Sequence, residues 1–317
     1  MKCVFKTTAE EWLEWKSLSV KASTYSGYSS IIKHHLIPEF GSTVIVDITP
    51  GDVQSFLTSR KFTAFSNSKG ELLSSATLRS ILTVLKSIMR YAKQQKNIPA
   101  CDLGGLTIRC IKKPACTLDH NKQATLTKYL LDNPTNINVG IMICLYGGLR
   151  IGEICALKWS EVSSDCKCIN ICKTMQRIQI PNSESDGQKT KIIIDKPKSV
   201  HSIRIVPIPD ILAGMMCKMR QDPGAYVLTG EQKYIEPRTF ENHIYRALQR
   251  CKIKNASAHT LRHSYATRSI ELGSDMKTVS ELLGHSSVKV TMDIYVHSSM
   301  ELKKSNADRL NKLLTIK

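Results

Sequence analysis

The stretch SSATLRSILTVLKSIMRYAKQQKN, residues 74–97, decides the fold class of the first third of the chain. Leu78, Ile81, Leu82, Leu85, Ile88, Met89 and Ala92 recur at helical spacing and form one apolar stripe. At about 100° per residue, Arg79, Lys86, Arg90 and Lys93 gather on a neighbouring face. No acidic residue occurs between Glu71 and Asp102. A cationic ridge beside a core-facing stripe suits docking on phosphates. Such a ridge is usually only a solvated face; the missing acids tip the reading towards DNA.

Upstream, the same helical spacing continues. TTAEEWLEWKSL places Trp12 and Trp15 three apart, and Tyr25, Tyr28, Ile32 and Leu36 follow at helical intervals, closed by Pro38 and Gly41. ITPGDVQSFLTSRK opens with Thr49 as a cap and Pro50 at the first helical position. Downstream, TIRCIKKPACT mixes basic residues with a proline and predicts a linker over 107–117. Helical character returns at TLDHNKQATLTKYLLDN, behind an Asp or Thr cap, and continues through INVGIMICLYGG to a break at Gly147-Gly148.

From Cys166 to Pro209 the pattern changes to alternating, β-branched runs around the polar stretch PNSESDGQ, which predicts a small antiparallel sheet. Helices resume after Asp210. The predicted class is mainly α with a small antiparallel β-sheet: an all-α domain over 1–106, the linker 107–117, and an α+β domain over 118–317.

Of 317 residues, 42% are hydrophobic, enough for two ordinary domains. No apolar run reaches the roughly 18 residues of a membrane span, and the N-terminus lacks the layout of a signal peptide. The expectation is a soluble intracellular protein with no membrane association. Eleven cysteines without a secretion signal argue for reduced thiols rather than a disulfide framework. The cluster Cys166, Cys168 and Cys172 lacks a second CxxC or paired histidines, so no metal site is expected there. Lys and Arg number 45 against 27 Asp and Glu, a net charge of +18. Residues 1–116 hold 16 basic and 8 acidic residues, and the remainder 29 and 19. Excess charge spread over folded sequence points to a polyanionic partner, nucleic acid first.

Four short stretches carry candidate chemistry: GGLRIGEICALKW with Arg150 and Glu153, KPKSVHSIRIVPI on the sheet, AHTLRHSYAT with His259 and Arg262, and ELLGHSSVKVTMDIYVHSS with His285 and Tyr295. Singly each has a dull reading: an intrahelical ion pair, a surface pair, a helix-end histidine, a packing tyrosine. Together they supply phosphoryl transfer to tyrosine. Two guanidinium groups can hold the non-bridging oxygens of one phosphodiester. Histidines and a lysine can hold or move protons, and a phenol can attack once a cationic, desolvated setting activates it. No metal or other cofactor is needed if the arginines neutralise the developing charge.

GGLRIGE, HTLRHSYAT, LLGHSS and DIYVH stand in the order and approximate spacing of the tyrosine recombinases of the phage-integrase group, and nearly the whole chain resembles them. The integrases of temperate phages and of integrative conjugative elements are the most similar in pattern. The resemblance implies that Arg150 and Arg262 hold the scissile phosphate and that His259 bonds it and acts as base. His285 would bind a non-bridging oxygen, and Glu153 would buttress the site from behind. Tyr295 would attack to give a 3′-phosphotyrosyl bond and a free 5′-hydroxyl. The general-acid lysine aligns with Lys198; Lys196, two residues away, points to the same side of a strand.

The resemblance also implies a core-binding domain over 1–106 that, with the catalytic domain, clamps duplex DNA. It implies strand exchange through a Holliday junction by a tetramer whose C-terminal tail, with Leu302, Leu310, Leu313 and Leu314 in an amphipathic pattern, passes between protomers. Accessory DNA-bending proteins and a location at the nucleoid, in the cytoplasm of a bacterial host, go with it. Many relatives carry a further N-terminal arm-binding domain, whereas this sequence starts almost at the core-binding helices; either the protein is naturally of the short kind, or the sequence is a truncated one from which that domain has been removed. Two rival readings are a type IB topoisomerase-like relaxing enzyme and a non-catalytic DNA-binding regulator.

Overall fold

The computed structural model describes residues 3–62, 73–110, 116–180, 190–197, 200–295 and 307. The chain divides into two compact units, residues 1–112 with 178–191, and residues 113–177 with 192–317. Among the described residues no helix is long and apolar enough to cross a membrane.

The first unit is helical: α1 (Phe5–Ser17), α2 (Ala22–Ile31), α3 (Ile37–Phe40), α4 (Pro50–Phe62) and α5 (Ser75–Gln95). Ser74 caps α5 by accepting from the Thr77 N–H at 3.1 Å. The Thr49 hydroxyl accepts from the Asp52 N–H while the Asp52 carboxylate accepts from the Thr49 N–H, a reciprocal cap that starts α4. The α5 stripe is buried against Phe5, Trp12, Ile32, Leu36, Phe40 and Ile45. Trp12 is fully buried, whereas Trp15 is 43% exposed and packs on Tyr91.

Pro38 does not end its helix, contrary to the sequence expectation. A π-helical turn, Ile32–Leu36, joins α2 to α3, with the Ile37 N–H bonded to the Ile32 carbonyl, and Pro38 sits in the first turn of α3. The wide turn absorbs the proline, which lacks an N–H and crowds the carbonyl four residues earlier.

The second unit comprises α6 (His120–Asp132), α7 (Asn136–Tyr146), α8 (Ile151–Ala156), β1 (Cys168–Ile171), most of β2 (Thr174–Gln179) and β3 (Thr190–Asp195), whose residues 178–179 and 190–191 fall in the first unit, β4 (Arg204–Pro207), α9 (Asp210–Lys218), α10 (Pro237–Arg250), α11 (Ala258–Glu271), α12 (Met276–Leu283) and α13 (Val288–Tyr295). Helix α7 is apolar all round and buried from Asn138 to Leu145, as a central helix must be. It packs against α6, α8, α9, α10 and α11. Among the described residues the strands form two two-stranded sheets, β1 with β4 and β2 with β3, rather than the single small sheet expected. β1 and β4 are antiparallel, with Ile171 opposite Arg204 and Ile169 opposite Val206.

The three clustered cysteines have separate surroundings. Cys166 is buried beside the Arg220 guanidinium, Cys168 lies opposite Pro207, and the Cys172 thiol bonds the Glu161 carboxylate at 3.1 Å. No group of three His, Cys, Asp or Glu able to hold a metal occurs among the described residues.

Candidate active site

The site is organised by the end of a helix. Asp275 caps the start of α12, accepting from the Lys277 and Thr278 N–H groups. At the other end Gly284 takes a left-handed conformation, φ +64, which a residue without a Cβ adopts freely. The His285 N–H bonds the Ser280 carbonyl and the Gly284 N–H the Glu281 carbonyl. This Schellman closure satisfies two of the last carbonyls and leaves those after them open.

Three arginines fill that gap, one per residue. Arg204 Nε donates to the Leu282 carbonyl at 2.5 Å, Arg262 Nη2 to that of Leu283 at 2.6 Å, and Arg150 Nη2 to that of Gly284 at 2.7 Å. The negative end of the helix dipole thus gathers three cations from β4, α11 and the start of α8.

One carboxylate sits among them. Glu153, whose side chain is 2% exposed, accepts four hydrogen bonds. Oε2 takes the Arg150 backbone N–H at 2.8 Å, and Oε1 takes Arg150 Nη1 at 2.7 Å. Arg204 supplies a fork, Nη1 to Oε1 at 3.0 Å and Nη2 to Oε2 at 2.9 Å. Burial works to raise the Glu153 pKa, but the Arg204 hydrogen bonds and the charges of Arg204 and Arg150 outweigh it and hold the group ionised.

Arg262 is 5% exposed and also donates through Nη1 to the Gly148 carbonyl at 2.6 Å. Gly148 has φ +66, and a Cβ there would fall 2.4 Å from the Tyr265 ring, so glycine is required at this turn between α7 and α8. The Gly-Gly break read from the sequence is therefore where the backbone turns to meet Arg262. Desolvation and the Arg150 charge depress the Arg262 pKa, with the Glu153 carboxylate opposing them.

His285 is half-buried, and its Nδ1 lies 2.9 Å from the Thr291 hydroxyl. Desolvation first, then the charges of Arg262 and Arg150, push its pKa down to about 4, so the ring is neutral at physiological pH. His259 is exposed near the start of α11, one turn before Arg262, with its ring 6.3 Å from that of His263. Tyr295 is the last residue of α13, which packs on α11 and α12; its side chain lies outside the described residues. Lys198 lies outside them too. Lys196 is exposed, with its N–H on the Asp195 carboxylate.

The structure thus brings Arg150, Glu153, Arg262 and His285 to one helix end. Arg204 and Thr291 join them without having been singled out from the sequence. A charge at an inward position of the alternating run HSIRIVPI was the available signal for Arg204. On α5, Arg79 and Lys86 bond the chain's own backbone: Arg79 Nη2 the Ile108 carbonyl, Lys86 Nζ those of Gly104 and Leu106. Arg90 and Lys93 are exposed.

A helical unit followed by a mixed unit whose arginines meet at one helix end has the build of a tyrosine recombinase. Residues 117–301 match the phage integrase family and residues 4–59 its N-terminal SAM-like domain. The chain belongs to the phage integrase family. It is 32% identical over 183 residues to a "Tyrosine recombinase XerC-like" of Caldanaerobacter subterraneus, covering 52% of this chain and 46% of the relative, about half of that protein's length. The ICEBs1 integrase of Bacillus subtilis is 23% identical over 328 residues, covering 98% of this chain and 83% of the relative. Among solved structures, the Tn1549 transposon integrase superposes with a TM-score of 0.76 at 18% identity, covering 97% of this chain and 99% of that one.

Proposed function

We propose that the protein is a site-specific DNA recombinase that cleaves and rejoins strands through a 3′-phosphotyrosyl intermediate at Tyr295. The observation that supports this best is the convergence of Arg262 and Arg150 on the consecutive carbonyls of Leu283 and Gly284 at the end of α12, next to His285. Neither guanidinium has all five N–H groups committed by these contacts, so each can hold a backbone anchor and still donate to a non-bridging phosphate oxygen. Family membership and the charge of +18 support duplex DNA as the ligand.

In this reading the two arginines bind the scissile phosphate and neutralise its growing charge, so the reaction calls for no metal or nucleotide. His285, kept neutral, donates from Nε2 while the Thr291 hydroxyl donates to Nδ1. His259 bonds the phosphate and takes the phenolic proton. Tyr295 forms the phosphotyrosyl bond as the 5′-oxygen leaves, and Lys198 protonates that oxygen. The liberated 5′-hydroxyl of a partner strand then attacks the same phosphorus and releases the tyrosine, which conserves the phosphodiester count.

Residues 1–106 serve as a core-binding domain, 107–117 as a linker and 118–317 as the catalytic domain, with Arg90 and Lys93 on the DNA-facing side. The assembly is a tetramer passing through a Holliday junction with the C-terminal tail exchanged between protomers. Accessory bending proteins assist it at the nucleoid, in the cytoplasm of a bacterial host.

Covalent trapping tests the proposal. Wild type and Tyr295→Phe are incubated with fragmented DNA of a mobile element and its host, quenched in denaturant, and scored for protein-linked ends that are then sequenced. Adducts from wild type alone, at one recurrent sequence, are expected. Adducts scattered over sequence would favour a relaxing topoisomerase, and binding without any adduct a regulator.

A further inference from the structure

Arg204 has no part in holding the phosphate in the reading above, yet it is bonded on every side. It opens β4, its side chain is 6% exposed, and its guanidinium reaches three separate pieces of chain. Nε bonds the Leu282 carbonyl, Nη1 and Nη2 grip the two Glu153 oxygens, and Nη1 also bonds the Ser202 carbonyl at 3.0 Å. One planar group therefore ties the last turn of α12 to the first turn of α8. Those turns carry the groups that meet the substrate. Leu283, Gly284 and His285 follow Leu282 in sequence, and the Glu153 carboxylate gripped by Arg204 also holds the backbone and guanidinium of Arg150. The packing is close: a Cβ on Gly284 would stand 3.0 Å from Arg204 Nη1.

A buried ion pair adds little stability over an apolar replacement of the same shape, because desolvation cancels most of the attraction. What it does provide is direction, since a guanidinium fork fixes distance and plane at once and an ammonium does not. We propose that Arg204 is a positioning residue for strand cleavage, fixing the end of α12 to Glu153 so that Arg150, Arg262 and His285 present themselves to one phosphate. This rests on the recombinase reading above.

The test is single-turnover cleavage of a nicked duplex carrying the sequence recovered by trapping, with protein in saturating excess. Wild type, Arg204→Lys and Arg204→Gln are compared for the first-order rate of adduct formation and for affinity to the uncleaved duplex. Unfolded protein lowers the amplitude and not the rate constant. The neutral Gln variant repeats the comparison where a buried ammonium prevents folding. The expected result is a rate lower by on the order of 100-fold, with duplex affinity unchanged, as for a small misplacement of reacting groups. A rate equal to wild type in a folded variant overturns the inference. So does a parallel fall of affinity and amplitude at constant rate, which is the signature of a merely structural residue. Absence of adduct from wild type itself overturns the recombinase reading, and the inference with it.

Discussion

At the scale of single residues, the site is a balance of charges around Glu153. Removing its charge leaves Arg204 and Arg150 facing each other without a counter-ion. Glu153→Gln is expected to cost about 3 kcal/mol of folding stability, the usual range for breaking a buried pair, as read by denaturant unfolding at neutral pH. The sign with pH follows from its depressed pKa. The stabilisation is complete above the unfolded-state value, about 4.3, and is lost as pH falls through the lower folded-state value. The gap between wild type and Glu153→Gln therefore closes in acid; a gap constant down to the acid transition contradicts this account. His285 gives an independent check. Its imidazole, titrated by NMR in the free protein, should stay neutral to about pH 4, and an ordinary midpoint near 6.5 would mean that the ring is neither desolvated nor set beside the arginines as described. The general acid is separable from its neighbour by leaving-group chemistry. A thiolate leaves without an acid because its conjugate thiol has a pKa of about 8.5. Lys198→Ala should slow cleavage of ordinary DNA by about 100-fold or more and recover on a 5′-bridging phosphorothiolate substrate. The same behaviour in Lys196→Ala instead would move the assignment by two residues.

At the scale of elements, legibility followed sequence distance. Arg150 with Glu153 was visible as a three-residue spacing just after the glycine break, and His259 with Arg262 because residues three apart on a helix share a face. The α5 stripe was visible because its period is that of a helix, and it is the stripe that is buried. The links of Arg204 to Glu153 and to Leu282 span 51 and 78 residues, and one acceptor is a backbone carbonyl that leaves no mark in a sequence. The same blindness applies to α5. Its cationic ridge reads as one surface, but half of it captures the carbonyls of residues 104–108. These halves should separate by experiment. Arg79→Ala and Lys86→Ala should speed hydrogen exchange in 104–108, whereas Arg90→Ala and Lys93→Ala should weaken DNA binding and each lower the salt slope by about one. Identical effects from all four would show that the ridge is a single surface after all. Gly148→Ala tests the turn before α8. Its left-handed backbone and the Tyr265 ring predict a loss of at least about 1–2 kcal/mol, read by thermal unfolding.

At the scale of the whole molecule, composition and motif order carried most of what could be read. The charge pointed to nucleic acid, and four short motifs in family order pointed to the phage integrase family, which residues 117–301 match. The alternating run between 166 and 209 announced strands but not their partners, and among the described residues two separate pairs stand where one sheet was expected. Strand pairing is a long-range choice that alternation alone does not encode. The most direct test of the central claim is the identity of the residue that carries DNA after cleavage. A nicked suicide duplex bearing the recovered site is reacted with wild-type protein, digested, and the nucleotide-bearing peptide sequenced by mass spectrometry. The account predicts a nucleotide joined through its 3′-phosphate to Tyr295. A linkage at any other side chain, or through a 5′-phosphate, would contradict it.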